Sequence, residues 1–138
     1  MKTIAGPFVR IFVAKAEAAH LLKTLTEVFE GKIDFQFDHA PTESTVYSVR
    51  NSLGLYSITA TDKAQPDFVA KTKAVYVVKN VDEVLENARK NNVEIAQEKT
   101  PVSVGFQSRL KMSEDCYFEI VEWSAEHIAK MKVIGLLK

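Results

Sequence analysis

The sequence lacks several features that would point to particular functions. Its 138 residues include a single cysteine, Cys116, which excludes an intrachain disulfide framework and is typical of a reducing cytoplasm. Lys plus Arg equals Asp plus Glu at 18 each, so no net charge favours nucleic acid or an anionic membrane surface. No apolar run is long enough to span a membrane, and the N-terminal stretch has no typical secretory cleavage pattern. We therefore expect a cytoplasmic protein without nucleic-acid or membrane partners.

Common catalytic motifs are also missing. The five glycines form no phosphate-binding loop, and the three histidines, His20, His39 and His127, form no closely spaced pair of metal ligands. No histidine or other base lies near Cys116 in the sequence, so we predict a small buried hydrophobic residue rather than a nucleophile. Because 46% of the residues are hydrophobic and 26% are charged, the chain has the composition of an ordinary globular domain.

The residues that are present repeat one order of elements. The first half has a β-branched and aromatic run, then apolar residues at helical spacing, then three further strand-like runs. The second half repeats this order, and Asn80 and Glu83 occupy the N-cap and capping-box positions of its helix. The predicted strands of the second half are 73–79, 102–107, 109–113 and 117–123.

This repetition predicts the fold class. We expect an α+β chain of one domain, built from two βαβββ units in tandem, because neither sheet buries its faces alone. The predicted bounds are 8–62 for unit one, 63–72 for a linker, 73–123 for unit two and 125–138 for a C-terminal amphipathic helix.

A specific family resemblance follows from two segments. The ending "SEDCYFEIVEW" and the segment "KAVYVVKNVDEVLENARKNNVEI" resemble the vicinal oxygen chelate superfamily, which includes glyoxalase I, bleomycin resistance proteins and extradiol dioxygenases. The resemblance covers about residues 8–123. It implies curled mixed sheets around a cavity and a homodimer. In the superfamily's enzymes, side chains on the first and last strands of each unit hold a divalent metal.

The metal positions implied by the resemblance fall on Val9 or Phe8, and on Ser57, Lys73 and Glu119. Only Glu119 is a competent ligand, whereas a catalytic divalent site normally has about three protein ligands. We therefore expect no metal cofactor, although a divalent metal is not excluded. We predict instead that Lys73 pairs with Glu119, because an unpaired buried charge is costly.

The last strand supplies the candidate site. Its residues Tyr117, Glu119, Val121 and Trp123 share one face, which would line the cavity, while Phe118 and Ile120 face the helix. Three strand arginines, at positions 10, 50 and 109, are further candidates whose facing the sequence leaves open. The predicted ligand-binding residues are Lys73, Glu119, Tyr117, Ser57, Tyr76 and Trp123.

Three functions remain open at this point. The favoured hypothesis is a small-molecule-binding protein of the glyoxalase and bleomycin-resistance type without a catalytic metal; the neutral charge argues against cationic bleomycin itself. The second is a lyase or isomerase-like enzyme of the same superfamily, with Glu119 as the catalytic base or as a metal ligand. The third is a non-enzymatic interaction module that uses its apolar C-terminal helix.

Overall fold

A computed structural model describes residues 1–138 and confirms the α+β class with two βαβββ units. The strands are β1 (Thr3–Val13), β2 (Lys32–His39), β3 (Ser44–Asn51), β4 (Gly54–Ala60), β5 (Thr72–Val78), β6 (Ile95–Val102), β7 (Gly105–Ser113) and β8 (Cys116–Trp123). The α-helices are α1 (Ala18–Lys23), α2 (Asp67–Ala70), α3 (Val81–Lys90) and α4 (Ala125–Val133).

The first unit comprises Phe8–Pro66. Its strands lie in the order β2, β3, β4, β1, with the β1 segment parallel to β4 and the other neighbours antiparallel. Leu25, Val49 and Ile58 are the buried centre of a cluster between the sheet and the helical segment that begins with α1. The apolar residues at helical spacing in the first half form α1, which is followed by a π-helical turn, Thr24–Val28.

The second unit comprises Met1–Pro7 together with Asp67–Lys138. Its strands lie in the order β5, β8, β7, β6, with β5 parallel to β8 and the other pairs antiparallel. Helix α3 begins as predicted, because the Asn80 side chain accepts a hydrogen bond from the backbone N–H of Glu83 at 3.2 Å. The helix covers one face of the sheet through an apolar cluster that includes Val81, Leu85 and Ile120.

The strand predictions for 102–107 and 109–113 are wrong in part. Gly105–Ser113 is one continuous strand, and β6 lies earlier than expected, at Ile95–Val102. The turn between them ends at Gly105, which has a φ of 145° and lies so close to the backbone of Glu122 that a Cβ atom would overlap its carbonyl oxygen. Strand β6 was missed because it is the mixed-polarity edge strand of the sheet, where burial imposes no clear alternation.

The C-terminal helix is shorter than the predicted 125–138. Helix α4 ends at Val133, and Gly135 has a φ of 82°, at which the chain turns back so that the N–H groups of Leu136 and Leu137 bond to the carbonyl of Met131. Met131 is buried and Val133 is exposed. No helix of the chain has the length and apolar character needed to cross a membrane.

Candidate functional site

The two faces of the sheet in the second unit have different chemistry. On the face toward α3, Tyr76, Phe118 and Ile120 belong to the apolar cluster. The opposite face, which we call the Glu119 face, carries Tyr117, Glu119, Val121 and Trp123, all buried. The alternation predicted for residues 117–123 is therefore confirmed.

Four polar side chains, one each from β5, β6, β7 and β8, meet on the Glu119 face. Arg109 on β7 and Glu119 on β8 are cross-strand partners, and Nη2 of Arg109 donates to Oε1 of Glu119 at 2.6 Å. Arg109 also donates from Nε to the hydroxyl of Thr72 on β5 at 3.1 Å, and from Nη1 to Oε1 of Gln97 on β6. We call Thr72, Gln97, Arg109 and Glu119 the polar quartet.

The quartet is an interior group rather than a surface ion pair. The side chains of Arg109 and Glu119 are only 5% and 8% exposed. An ion pair at this depth has lost most of its hydration, so it is tolerated only when hydrogen bonds satisfy its polar atoms. Thr72 and Gln97 contribute those bonds, and they orient the guanidinium group toward Glu119.

The predicted ion pair between Lys73 and Glu119 is wrong, because Arg109 pairs with Glu119 and Lys73 is exposed. The reason is a β-bulge in β5. Thr72 is the register partner of Tyr117, and Ala74 is the partner of Phe118, so Lys73 is an extra residue. On a regular strand Lys73 would share the face of Val75, but the bulge brings Thr72 to that position.

The other predicted residues of the second unit are divided between its faces. Tyr117 and Trp123 lie on the Glu119 face, as expected. Tyr76 lies on the opposite face, where its ring centroid is 5.2 Å from that of Phe118, so its placement beside Glu119 is corrected. The cause is strand alternation, which gives the Glu119 face to Val75 and Val77 instead.

Trp123 connects the sheet with α4. Its ring meets that of His127 edge-on, with centroids 4.8 Å apart and planes at 72°. The backbone N–H of His127 donates to the hydroxyl of Ser124, the N-cap of the helix. Burial lowers the pKa of His127, and Lys130 lowers it further. His127 is buried because α4 turns this residue toward Trp123.

In the first unit, Ser57 lies on a polar sheet face. Ser57 and Arg10 are register partners, and Ser57 also pairs with Ser48. Arg10 donates from Nη1 to the Thr59 hydroxyl at 2.8 Å, so this arginine faces the side of the sheet away from α1. Ser48, Ser57 and Thr59 are all buried.

Arg50, another of the candidate arginines, forms an ion pair at 3.0 Å with Asp34, whose side chain is 1% exposed.

The residues at the implied metal positions do not fit a divalent ion. The carboxylate of Glu119 is bonded to a guanidinium cation, which competes with a metal for the same oxygen. Lys73 is a cation, Val9 is 48% exposed and has no donor atom, and Ser57 offers only a hydroxyl. The chain brings together no group of three or more His, Cys, Asp or Glu side chains suited to a metal.

Sequence reasoning missed half of the quartet. Arg109 was identified as a candidate of unknown facing, and Thr72 and Gln97 were not identified at all. No local signal marks them, because they are 12 or more residues from the group they contact and meet it only through the strand register. A correct placement of β6 with regular pairing would have set Gln97 opposite Leu110, because only the register shift between Gln97 and Thr100 brings it to Arg109.

Comparison with known proteins agrees with this fold. No model of a known protein family matches the chain, and no curated protein sequence matches it. Among solved structures, methylmalonyl-CoA epimerase from Mycobacterium tuberculosis is 13% identical with a TM-score of 0.72, covering 94% of this chain and 95% of that one. An uncharacterized protein from Methanosarcina mazei is 20% identical with a TM-score of 0.62, covering 90% and 95%. These similarities show that the chain shares its fold with these proteins.

Proposed function

We propose that this protein binds a small organic molecule on the Glu119 face without the help of a metal ion. The observation that carries the proposal is the polar quartet, in which β5, β6, β7 and β8 each contribute a polar side chain to a buried charged group. A hydrophobic arrangement of similar volume is often as stable or more stable, so such a group is not explained by stability alone.

The surroundings of the quartet suit a small ligand. Tyr117 and Trp123 provide aromatic surface beside the charged pair, and Val121 provides aliphatic surface. Small-molecule sites in proteins are typically apolar surfaces with a few fixed polar groups that orient the ligand. The hydrogen bonds of Arg109 hold its guanidinium group in place before any ligand arrives, so little ordering is needed on binding.

The similar structures support a ligand-binding role for this fold. One of them is a methylmalonyl-CoA epimerase in complex with methylmalonyl-CoA, at 12% identity and a TM-score of 0.67. That ligand belongs to that protein. For this chain, the likeness supports only the coarser proposal that a sheet of this kind accommodates a small organic molecule.

The enzyme hypothesis is weaker on this geometry. Oε1 of Glu119 accepts a hydrogen bond from Arg109 at 2.6 Å, so a general base at this position would have to act through its other oxygen.

The homodimer and the cytoplasmic location stay predictions, to be checked by sedimentation and by fractionation.

The proposal is tested first by native mass spectrometry of the purified protein with elemental analysis for divalent metals. We expect a retained or exchangeable small molecule and no stoichiometric metal. The double variant R109M/E119M should lose that molecule, while the control K111M, on the same strand but in an exposed pair with Glu114, should retain it. Stoichiometric metal would contradict the proposal, and a protein that binds no small molecule would favour the interaction module.

A further inference from the structure

Gln97 has an unusual position in its strand. Strand β6 is the edge of the sheet, and its pairing with β7 shifts register on both sides of Gln97, between Ile95 and Gln97 and again between Gln97 and Thr100. Register shifts of this kind re-aim side chains and are frequent beside active sites. Within this irregular stretch, Gln97 remains the register partner of Arg109.

The contact with Arg109 fixes which way the amide group of Gln97 points. A guanidinium group carries only donors, so the atom of Gln97 that faces Nη1 of Arg109 must be the carbonyl oxygen. Because Arg109 is itself held by Thr72 and Glu119, the amide has one favoured orientation. The NH₂ group of Gln97 is consequently directed away from the arginine.

The NH₂ group offers two donors at the accessible border of the quartet. Gln97 is half-buried, whereas Arg109 and Glu119 are buried. The charges of Arg109 and Glu119 compensate each other. The polar group that a ligand would meet beside this pair is therefore the uncharged NH₂ group of Gln97. An amide donor held in one orientation discriminates for acceptor oxygens and against donor-only groups.

We propose that Gln97 is the specificity-determining residue of the site, and that its NH₂ group selects ligands with a carbonyl or carboxylate oxygen. The inference rests on the proposed function, since it names the ligand class for the Glu119 face. Arg109 acts here as a positioning residue, because it orients Gln97 through the bond to the amide oxygen.

Three four-carbon probes separate the possible ligand chemistries. Butyrate presents a carboxylate, butanone presents a neutral carbonyl, and butylamine presents only an ammonium donor. We expect the side-chain amide resonances of Gln97 in ¹⁵N–¹H spectra to shift on titration with butyrate or butanone in the millimolar range and not with butylamine. A shift with butyrate alone identifies a carboxylate ligand, and a shift with butanone identifies a carbonyl ligand.

Two matched variants complete the test. Q97E replaces both donors by acceptors, and its carboxylate can still pair with Arg109, so the fold is maintained. We expect Q97E to weaken binding of the responding probe by about tenfold or more, the loss of roughly one good hydrogen bond. The control Q36E makes the same exchange at an exposed glutamine of β2 and should leave the affinity unchanged.

Each outcome decides between the two proposals. If a probe or a retained ligand binds the Glu119 face and Q97E binds it as well as the wild type, the assignment of Gln97 is wrong while the binding function stands. If the Gln97 amide responds to neither oxygen-bearing probe, or responds to butylamine equally, the proposed ligand class is wrong. If native mass spectrometry shows that nothing binds, the function itself fails.

Discussion

Removal of Arg109 tests whether the polar quartet forms as described. In R109M, Glu119 loses a charge-assisted hydrogen bond of 2.6 Å, and Thr72 and Gln97 lose the donor that each of them accepts from. The Glu119 side chain is only 8% exposed, so water cannot fully replace the lost partner. Breaking a buried pair from one side typically costs about 3–5 kcal/mol, and we expect this loss in the free energy of unfolding.

A double variant without either charge separates the effect of the unpaired charge from the effect of side-chain size. The variant R109M/E119M removes both charges, so it should recover most of the stability lost in R109M and lie within about 1–2 kcal/mol of the wild type. The matched control is K111M, two residues along the same strand, where the partner Glu114 is 88% exposed. An exposed pair contributes little, so K111M should change the stability by less than about 1 kcal/mol.

Urea denaturation at neutral pH measures the free energy of unfolding of the wild type, R109M, R109M/E119M and K111M. The fluorescence of Trp123 reports unfolding, because Trp123 is the single tryptophan and is buried on the Glu119 face. If R109M loses no more stability than K111M, the reasoning about the buried pair is refuted. If R109M/E119M is as unstable as R109M, the loss comes from packing rather than from the uncompensated charge.

Three further predictions follow from local contacts. Because burial lowers the pKa of His127, the unfolded state binds a proton more readily, so stability should fall as the pH drops through the ordinary value of 6.5; H127Q should remove this component in urea titrations from pH 8 to 5. G105A should cost about 2–3 kcal/mol in the same assay, because the new Cβ overlaps the carbonyl of Glu122 and the φ of 145° disfavours alanine. N80A should cost about 1 kcal/mol, since α3 loses its N-cap acceptor.

These predictions have internal controls. H20Q changes an exposed histidine and should leave the pH dependence as it is; an equal effect would show that His127 is not responsible. G54A changes a glycine with a similar φ of 153° and no atom within 4 Å of the new Cβ, so it reports the backbone contribution alone. If G105A and G54A cost the same, close packing at Gly105 is not the cause.

Some features of the site follow from sequence because they depend on neighbouring residues. Asn80 and Glu83 are three positions apart, and this spacing was enough to locate the start of α3. Residues 117–123 alternate between the two faces of a strand, so Glu119 and Trp123 were placed on one face and Phe118 on the other.

Other features of the site could not be predicted from the sequence, because they depend on the register between strands. One extra residue at Lys73 exchanges the two faces of the strand that contains it, and no composition signal marks the bulge. The same holds for Gln97, whose contact with Arg109 requires both the position of β6 and its irregular pairing.

The sequence by itself determined the repeated order of elements, the α+β class and the face on which Glu119 lies, because periodicity and capping are properties of short segments. Only the tertiary structure decided that Arg109 rather than Lys73 pairs with Glu119, and that Thr72 and Gln97 complete the group. The physical reason is that a buried charge is stabilised by whichever partners the strand register brings within hydrogen-bonding distance, and that register is a property of the assembled sheet.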